Sequence, residues 1–156
     1  MSNVTHLLPA EVAGYATADL AWTRLTGSPR FDYPIDYSIA ILHAREDGQR
    51  AEFLVTWEPG AYCHFHRHLG ATASTVLAGE LHVHESEEFL EVHKLRKTGH
   101  ATANEGGDVH MERAGPEGAV VYYDMRAPDG RLFEMLTDDR RVLRTVTVED
   151  FRTGNL

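Results

Sequence analysis

The chain has 156 residues, of which 42% are hydrophobic and 25% are charged, and its 24 acidic residues outnumber the 15 basic ones to give a formal net charge of −9. This length and composition predict one domain with a single core, and the negative charge argues against a nucleic acid or an anionic membrane as a partner. The single cysteine excludes an internal disulfide, and no signal peptide or apolar span is found, so we expect a cytoplasmic protein.

The chain order predicts an N-terminal arm over residues 1–18, a β-rich domain over residues 19–150 and a tail over residues 151–156. The arm contains few residues that could form a core of their own. Within the domain, Tyr37–His43 and Ala51–Glu58 are rich in β-formers and are separated by a turn-prone Glu-Asp-Gly segment. These two runs are predicted to form a hairpin.

Further strands are expected after this hairpin, and they are Tyr62–His68, Thr75–Ala78, Leu81–His84, Val120–Met125 and Leu132–Thr137. The last two are predicted to pair with each other across a Pro-Asp-Gly turn. Residues 86–99 alternate like a strand but also carry a helix-capping pattern, and we favour the strand. Thr147 is expected to cap one short helical turn. Many short strands separated by turns predict an all-β sandwich or barrel.

Three histidines lie at strand spacing, at His64, His66 and His68. Alternate side chains of a strand share a face, so two neighbouring histidines of this set present their imidazoles side by side to a first-row transition metal. Residues four apart in a strand are about 13 Å apart, so at most one adjacent pair can bind the same ion. A third ligand must then come from elsewhere in the chain.

The spacing of glycines and histidines around this segment resembles the first signature of the cupin superfamily. Gly60 is followed after five residues by His66, after one more by His68, after three by Thr72 and after six by Gly79. That signature normally has a glutamate, usually the carboxylate ligand, where Thr72 stands. The resemblance chooses the second and third of the three strand histidines as ligands.

The second cupin signature has a counterpart further along the chain. Gly99 is followed after five residues by Glu105, after one by Gly107, after two by His110 and after three by Ala114. The glycines and the histidine fit the signature, whereas its proline and asparagine are replaced. The two signatures together span residues 60–114.

The resemblance implies an all-β cupin fold, a double-stranded antiparallel β-helix or jelly-roll barrel, that holds one divalent metal through His66, His68 and His110. Because Thr72 is too short to reach an ion, we expect a centre of three neutral imidazoles without a carboxylate. Such a centre leaves the charge of the ion uncompensated and should attract an anionic chelating ligand. Candidates for supporting roles beside these ligands are His64, Glu112 and Glu134.

Within the cupins, the three-histidine pattern and the HRHLGAT and APDGRLFEM segments resemble the acetylacetone-cleaving and 2,4'-dihydroxyacetophenone dioxygenase group. That resemblance implies an enzyme, a homodimer, that uses Fe(II) and O2 to cleave a carbon–carbon bond of a small enolisable diketone or hydroxyketone. Zn, Ni or Mn in place of Fe(II) stays open, because imidazole suits several metals. Two alternatives also stay open, a non-catalytic zinc-binding cupin sensor and a metal-dependent isomerase or hydrolase with a carboxylate base.

Other chemically active residues receive structural interpretations. Cys63 and Phe65 are expected to face away from the histidines and to serve packing, and His82 and His84 to face solvent from a strand. The glycines of the two signatures are predicted to be turn formers that need positive φ or a close strand approach, and they are Gly60, Gly79, Gly99 and Gly107.

Overall fold

Antiparallel strands curl around one apolar core in the computed structural model of the protein, which describes residues 4–27, 34–87, 90–137 and 139–156. The strands are β1 (Glu11–Val12), β2 (Tyr15–Ala16), β3 (Trp22–Thr26), β4 (Asp36–Ala44), β5 (Arg50–Trp57), β6 (Phe65–His68), β7 (Thr72–Glu87), β8 (Leu90–Lys97), β9 (Ala101–Asn104), β10 (Val109–Arg126), β11 (Arg131–Leu136) and β12 (Val142–Thr147). A 3₁₀ helix (Thr5–Leu7) precedes them and helix α1 (Val148–Thr153) follows. Neither of these two described helices has the length and apolar character that crossing a membrane requires.

Strand β10 is the centre of the sheet and determines where the other strands lie. One of its edges pairs with β6 through residues 109–110 and with β5 through residues 119–126, while the opposite edge pairs with β7 along most of its length. Strand β11 joins β6 to β12, and β4 and β3 extend the sheet beyond β5. The start of β10 is thereby placed directly beside β6.

The predicted hairpin between residues 120–125 and 132–137 is wrong. Strand β11 pairs with β6 and β12 rather than with β10. The physical reason is that both edges of this part of β10 are already filled, one by β5 and the other by β7. The Pro-Asp-Gly turn therefore connects β10 to a strand that pairs elsewhere in the sheet, and β10 and β11 do not form a hairpin.

Several local predictions are confirmed. Strands β4 and β5 form the expected hairpin, and residues 90–97 form a strand that pairs with β7. Thr147 caps helix α1, since its hydroxyl accepts the backbone N–H of Asp150 and the Asp150 carboxylate accepts the backbone N–H of Thr147. The predicted strand Tyr62–His68 is shorter, because only Phe65–His68 is continuous and Tyr62 makes isolated bridges.

Gly79 lies inside β7, one long strand where two strands were predicted. Its φ is +74°, and a Cβ built there would lie 2.1 Å from the backbone oxygen of Gly118, so only glycine allows this approach. The register between β7 and β10 shifts at the same place. All four signature glycines have the predicted positive φ.

Both chain ends pack on the barrel. Phe151 is 3% exposed and meets the ring of Phe53 edge-on at 5.0 Å, so helix α1 runs across the predicted boundary at residue 150 and contributes to the core. Val4 in the predicted arm is 1% exposed, and its side chain fills the space where a Cβ of Gly118 would lie. The contact of Val4 therefore anchors the start of the predicted arm to the barrel of its own chain.

Candidate metal centre

Two neighbouring strands present four potential metal ligands on one face. His66 and His68 lie two residues apart on β6, so their side chains share a face. Strand β10 places His110 directly opposite His66 in the antiparallel register, and Glu112 follows two residues later on the same face. The face thus combines two residues from each strand.

The donor atoms of these four residues converge. One ligand atom from each of His66, His68, His110 and Glu112 lies within 4.8 Å of the other three, and all four residues are buried. The Nε2 atoms of His68 and His110 are 3.0 Å apart, and Glu112 Oε1 lies 3.3 Å from Nε2 of His66 and 3.4 Å from Nε2 of His110. Donors at about 2.1 Å from one ion and at right angles to each other would be about 3.0 Å apart. The donor set therefore fits one divalent transition metal.

The second nitrogen of two of these imidazoles is engaged by the protein. Nδ1 of His66 donates to the backbone oxygen of His64 at 2.7 Å. Nδ1 of His68 lies 3.2 Å from the Thr72 hydroxyl, which itself donates to the backbone oxygen of Gly70. A proton on each Nδ1 leaves Nε2 with its lone pair facing the other donors, as metal binding requires. Thr72, at the position of the usual glutamate, thus orients a ligand.

Asp108 plays the corresponding part for the third imidazole. Its Oδ2 lies 3.0 Å from Nδ1 of His110, and this contact is the main reason why the pKa of Asp108 is lowered to about 2. A carboxylate behind a metal-binding histidine fixes the tautomer and makes the ring a better donor. The sequence reasoning missed Asp108, which lies just before the start of β10 and two residues before His110.

Glu112 corrects the expectation of a centre without a carboxylate. Its side chain is 2% exposed, and one oxygen faces the imidazoles while the other accepts a hydrogen bond from the Tyr123 hydroxyl at 2.7 Å. Burial by itself would raise the pKa of Glu112, but the contacts with His110 and His66 outweigh it and hold that pKa well below its usual value. A buried, ionised carboxylate therefore stands among the histidines.

The imidazole of His68 is held in its neutral form. Burial is the largest cause, and the charges that His66 and His110 carry when protonated add to it, so the pKa of His68 lies well below its ordinary value. Neutral imidazole is the form that binds a metal ion. The centre therefore has at least one ligand that needs no deprotonation at neutral pH.

An apolar cavity of about 40 Å³ opens beside the four residues. Its apolar walls are Ile39, Phe53, Val55, Trp57, Met125, Phe133 and Met135, and its polar lining includes Tyr37, His64, His66, His68, Glu112 and Tyr123. At about 10–15 Å³ for each water-sized position, this volume admits about three small groups. The site therefore suits the reacting end of a small, mostly apolar molecule.

His64 and Cys63 both border this cavity, and the expectation that Cys63 faces away from the histidines is wrong. Its sulfur lies 3.7 Å from Nδ1 of His66 and accepts the backbone N–H of Glu112 at 3.3 Å. The strand begins only at residue 65, so the alternation assumed for the preceding residues does not apply. His64 lines the cavity as predicted, with Nδ1 2.8 Å from the Tyr37 hydroxyl.

Glu134, the other carboxylate considered from the sequence, lies on the opposite side of its strand. Its Oε1 is 3.2 Å from the Arg67 guanidinium, while its neighbours Phe133 and Met135 line the cavity. The alternation along β11 therefore directs Glu134 away from the four convergent residues. This placement removes it as a base or an orienting group for the centre.

Comparisons with known proteins identify the fold. No family model and no curated protein sequence matches the chain. Among solved structures, an acetylacetone dioxygenase from Acinetobacter johnsonii matches with a TM-score of 0.63 and 14% identity over 84% of this chain and 83% of that chain. An RmlC-like cupin protein from Ralstonia eutropha JMP134 matches with a TM-score of 0.65 and 10% identity over 88% and 79%. A cupin 2 conserved barrel domain protein from Rhodopseudomonas palustris matches with a TM-score of 0.62 and 16% identity over 78% and 81%. Likeness at such identities shows the fold alone, and that fold is the predicted cupin barrel.

Proposed function

We propose that this cupin is a non-haem Fe(II) dioxygenase that cleaves a carbon–carbon bond of a small enolisable diketone or hydroxyketone. The observation that carries the proposal is the convergence of three imidazole nitrogens and one carboxylate oxygen, all buried, at the side of an apolar cavity. The three-histidine spacing resembles that of diketone-cleaving cupins, and the fold is similar to that of an acetylacetone dioxygenase. Fe(II) bound by these donors would lower the pKa of the diketone by polarising its carbonyl oxygens, and the electron-rich enolate would then react with O2.

The charge of the donor set favours an anionic substrate. Three neutral imidazoles and the Glu112 carboxylate would leave one of the two positive charges of a divalent ion uncompensated. An enolate carries one negative charge and would complete the neutralisation inside a cavity with few polar groups. A buried unpaired charge is costly, so this balance selects a monoanion over a neutral or dianionic molecule.

The number of donors also limits how the substrate can bind. Four protein donors leave two positions of a six-coordinate ion, which matches the two oxygens of a β-diketone enolate. The apolar wall formed by Phe133, Met135 and their neighbours suits the hydrocarbon part of such a molecule and excludes bulk water. The small cavity volume favours short side groups on the diketone.

Anaerobic loading with Fe(II), followed by oxygen-uptake measurements with a panel of β-diketones and hydroxyketones, tests the proposal. We expect uptake that requires both Fe(II) and one class of diketone, with cleaved products detected by mass spectrometry. His110→Ala should abolish the uptake. Glu134→Gln is the matched control, because this carboxylate pairs with Arg67 outside the cavity, and it should retain the uptake.

A second candidate function is favoured by the position of Glu112. A metal-dependent isomerase or hydrolase needs a carboxylate base within reach of the substrate, and Glu112 is the one aspartate or glutamate that lines the cavity among the described residues. A protein that consumes no oxygen with any substrate after Fe(II) loading, yet turns over an ester or sugar substrate with Zn or Mn, would replace the dioxygenase proposal. Tight zinc without any turnover would instead favour the sensor role.

A further inference from the structure

A second group of histidines lies on the outer face of the ribbon formed by β7 and β8. Leu81 and Val83 of β7 are at most 1% exposed and point into the core. His82 and His84 alternate with them along the strand and therefore project outward. His93 on β8 stands directly opposite His84 in the register. Three imidazoles thus share one outer surface, separated from the cavity by the sheet itself.

Two of these rings lie close enough for one nitrogen of each to bind the same ion after a small rotation of the rings. Nδ1 of His82 lies 2.9 Å from Nε2 of His93. The corresponding separation between His68 and His110 in the buried centre is 3.0 Å, and both distances match two donors on one ion at about 2.1 Å. The His84 ring stacks on His93 at 4.6 Å with an interplanar angle of 11°, which restricts how the His93 ring can turn.

We propose that His82 and His93 form a second metal site, open to solvent, for a borderline divalent transition metal such as Zn²⁺, Cu²⁺ or Ni²⁺. These ions prefer imidazole nitrogen, and water would complete their coordination at an exposed surface. The site is independent of the buried centre and of the proposed oxygenase activity.

Nearby charges support this assignment. Glu80 Oε2 lies 3.9 Å from Nε2 of His82, too far for a hydrogen bond, and places a negative charge beside the ring. Burial, with the charges of Arg113 and His93, lowers the pKa of His82 and so favours the neutral ring that binds a metal ion. Arg113 opposes a bound cation, but its guanidinium is placed over the Tyr62 ring at 5.8 Å.

Metal titration of chelator-treated protein tests the site, with Zn²⁺ followed by isothermal calorimetry and Cu²⁺ by electron paramagnetic resonance. We expect the wild type to bind one equivalent more than His93→Asn or His82→Asn, and the Cu²⁺ spectrum of the extra equivalent to show coupling to two nitrogens. His100→Asn, which changes an exposed histidine of a turn, should bind as many equivalents as the wild type. Circular dichroism of each variant checks that the barrel is intact.

The difference in metal equivalents bound between the wild type and His93→Asn tests the proposal, whatever total number of equivalents the wild type binds. If the buried centre binds no metal, the wild type still binds one equivalent and His93→Asn none. Equal stoichiometry and affinity in the wild type and both variants would overturn the proposal and leave a hydrogen-bonded histidine pair. If the buried centre does not bind metal, His110→Ala will bind as many equivalents of metal as the wild type, and this result is independent of the His93→Asn comparison.

Discussion

The Tyr123 hydroxyl donates a hydrogen bond of 2.7 Å to Oε2 of Glu112 and so turns the other carboxylate oxygen toward the histidines. Both residues belong to β10, eleven positions apart, and both are buried. The strand therefore carries a ligand and the group that orients it. Without the tyrosine, the carboxylate could rotate and present its oxygens differently.

Tyr123→Phe removes this hydrogen bond while keeping the ring in the core. We expect its metal affinity to fall by about tenfold, as for other groups that orient a ligand without touching the ion. Competition with a chromophoric chelator measures the affinity. Tyr37→Phe is the matched control, because Tyr37 contacts His64 rather than one of the four donor residues, and it should bind metal as the wild type does. Equal affinities in all three proteins would contradict the role given to Tyr123.

The close approach at Gly79 predicts a large effect of a single methyl group. Gly79→Ala would combine the strain of a positive φ, about 1–2 kcal/mol, with a clash against the Gly118 backbone worth a further 1–3 kcal/mol or so. Gly99→Ala has the same type of φ but open space around the added carbon, so only the strain applies. Urea unfolding should show the first variant as clearly less stable than the second. The reverse order would show that the two strands can move apart.

The ion pair between Arg50 and Asp124 predicts how stability depends on pH. Two hydrogen bonds of 2.8 Å from Arg50 lower the pKa of Asp124 in the folded state. Stabilisation from this pair is therefore complete above the ordinary carboxyl pKa of about 3.9 and is lost as the pH falls through the lower folded value. Asp124→Asn should cost about 1–2 kcal/mol at pH 7 and much less near pH 2.

Unfolding curves at several pH values check this dependence. Asp139→Asn is the control, because the pair of Asp139 with Arg141 is largely exposed and should contribute little at any pH. A loss for Asp124→Asn that stayed constant or grew toward low pH would show that the variant acts through packing rather than charge.

Phe151 predicts that the end of the chain is part of the folding unit. Its ring packs against Phe53 and Phe133, so Phe151→Ala should lower the free energy of unfolding by about 3–5 kcal/mol. Arg152→Ala changes an exposed neighbour in the same helix and should have little effect. Thermal unfolding of both variants measures the difference, and similar midpoints would mean that the helix detaches without disturbing the barrel.

Much of the site was predictable because strands have a period of two. That period groups His66 and His68 on one face, and the resemblance to the second cupin signature adds His110 from another stretch, whose side chain the structure brings beside them. Applied once more, the same period places Glu112 beside His110. The cupin signature normally has its carboxylate at position 72, so the resemblance predicts only a supporting role for Glu112. The proximity of Glu112 to the histidines of β6 depends on the register between β10 and β6, which the sequence alone does not determine.

Other errors came from local rules that tertiary structure overrode. Alternation predicts the wrong side for Cys63, because the chain becomes a regular strand only at Phe65. The Pro-Asp-Gly turn predicts a hairpin, whereas β11 pairs with β6 and β12. The hairpin error concerns which neighbour a strand meets, and that depends on the strand edges that the rest of the sheet leaves free.

Strand β10 contributes His110 and Glu112 near one end and the cavity residues Tyr123 and Met125 near the other. An engineer who wished to transplant the centre into another barrel could not move the donors without also moving part of the wall that shapes the ligand. Inserting or deleting a residue in the irregular stretch 115–118 would shift the two donor residues along the strand relative to the two cavity residues. The spacing within each pair would stay the same. Changes of specificity are therefore better sought on β4, β5 and β11, which line the cavity without supplying any donor.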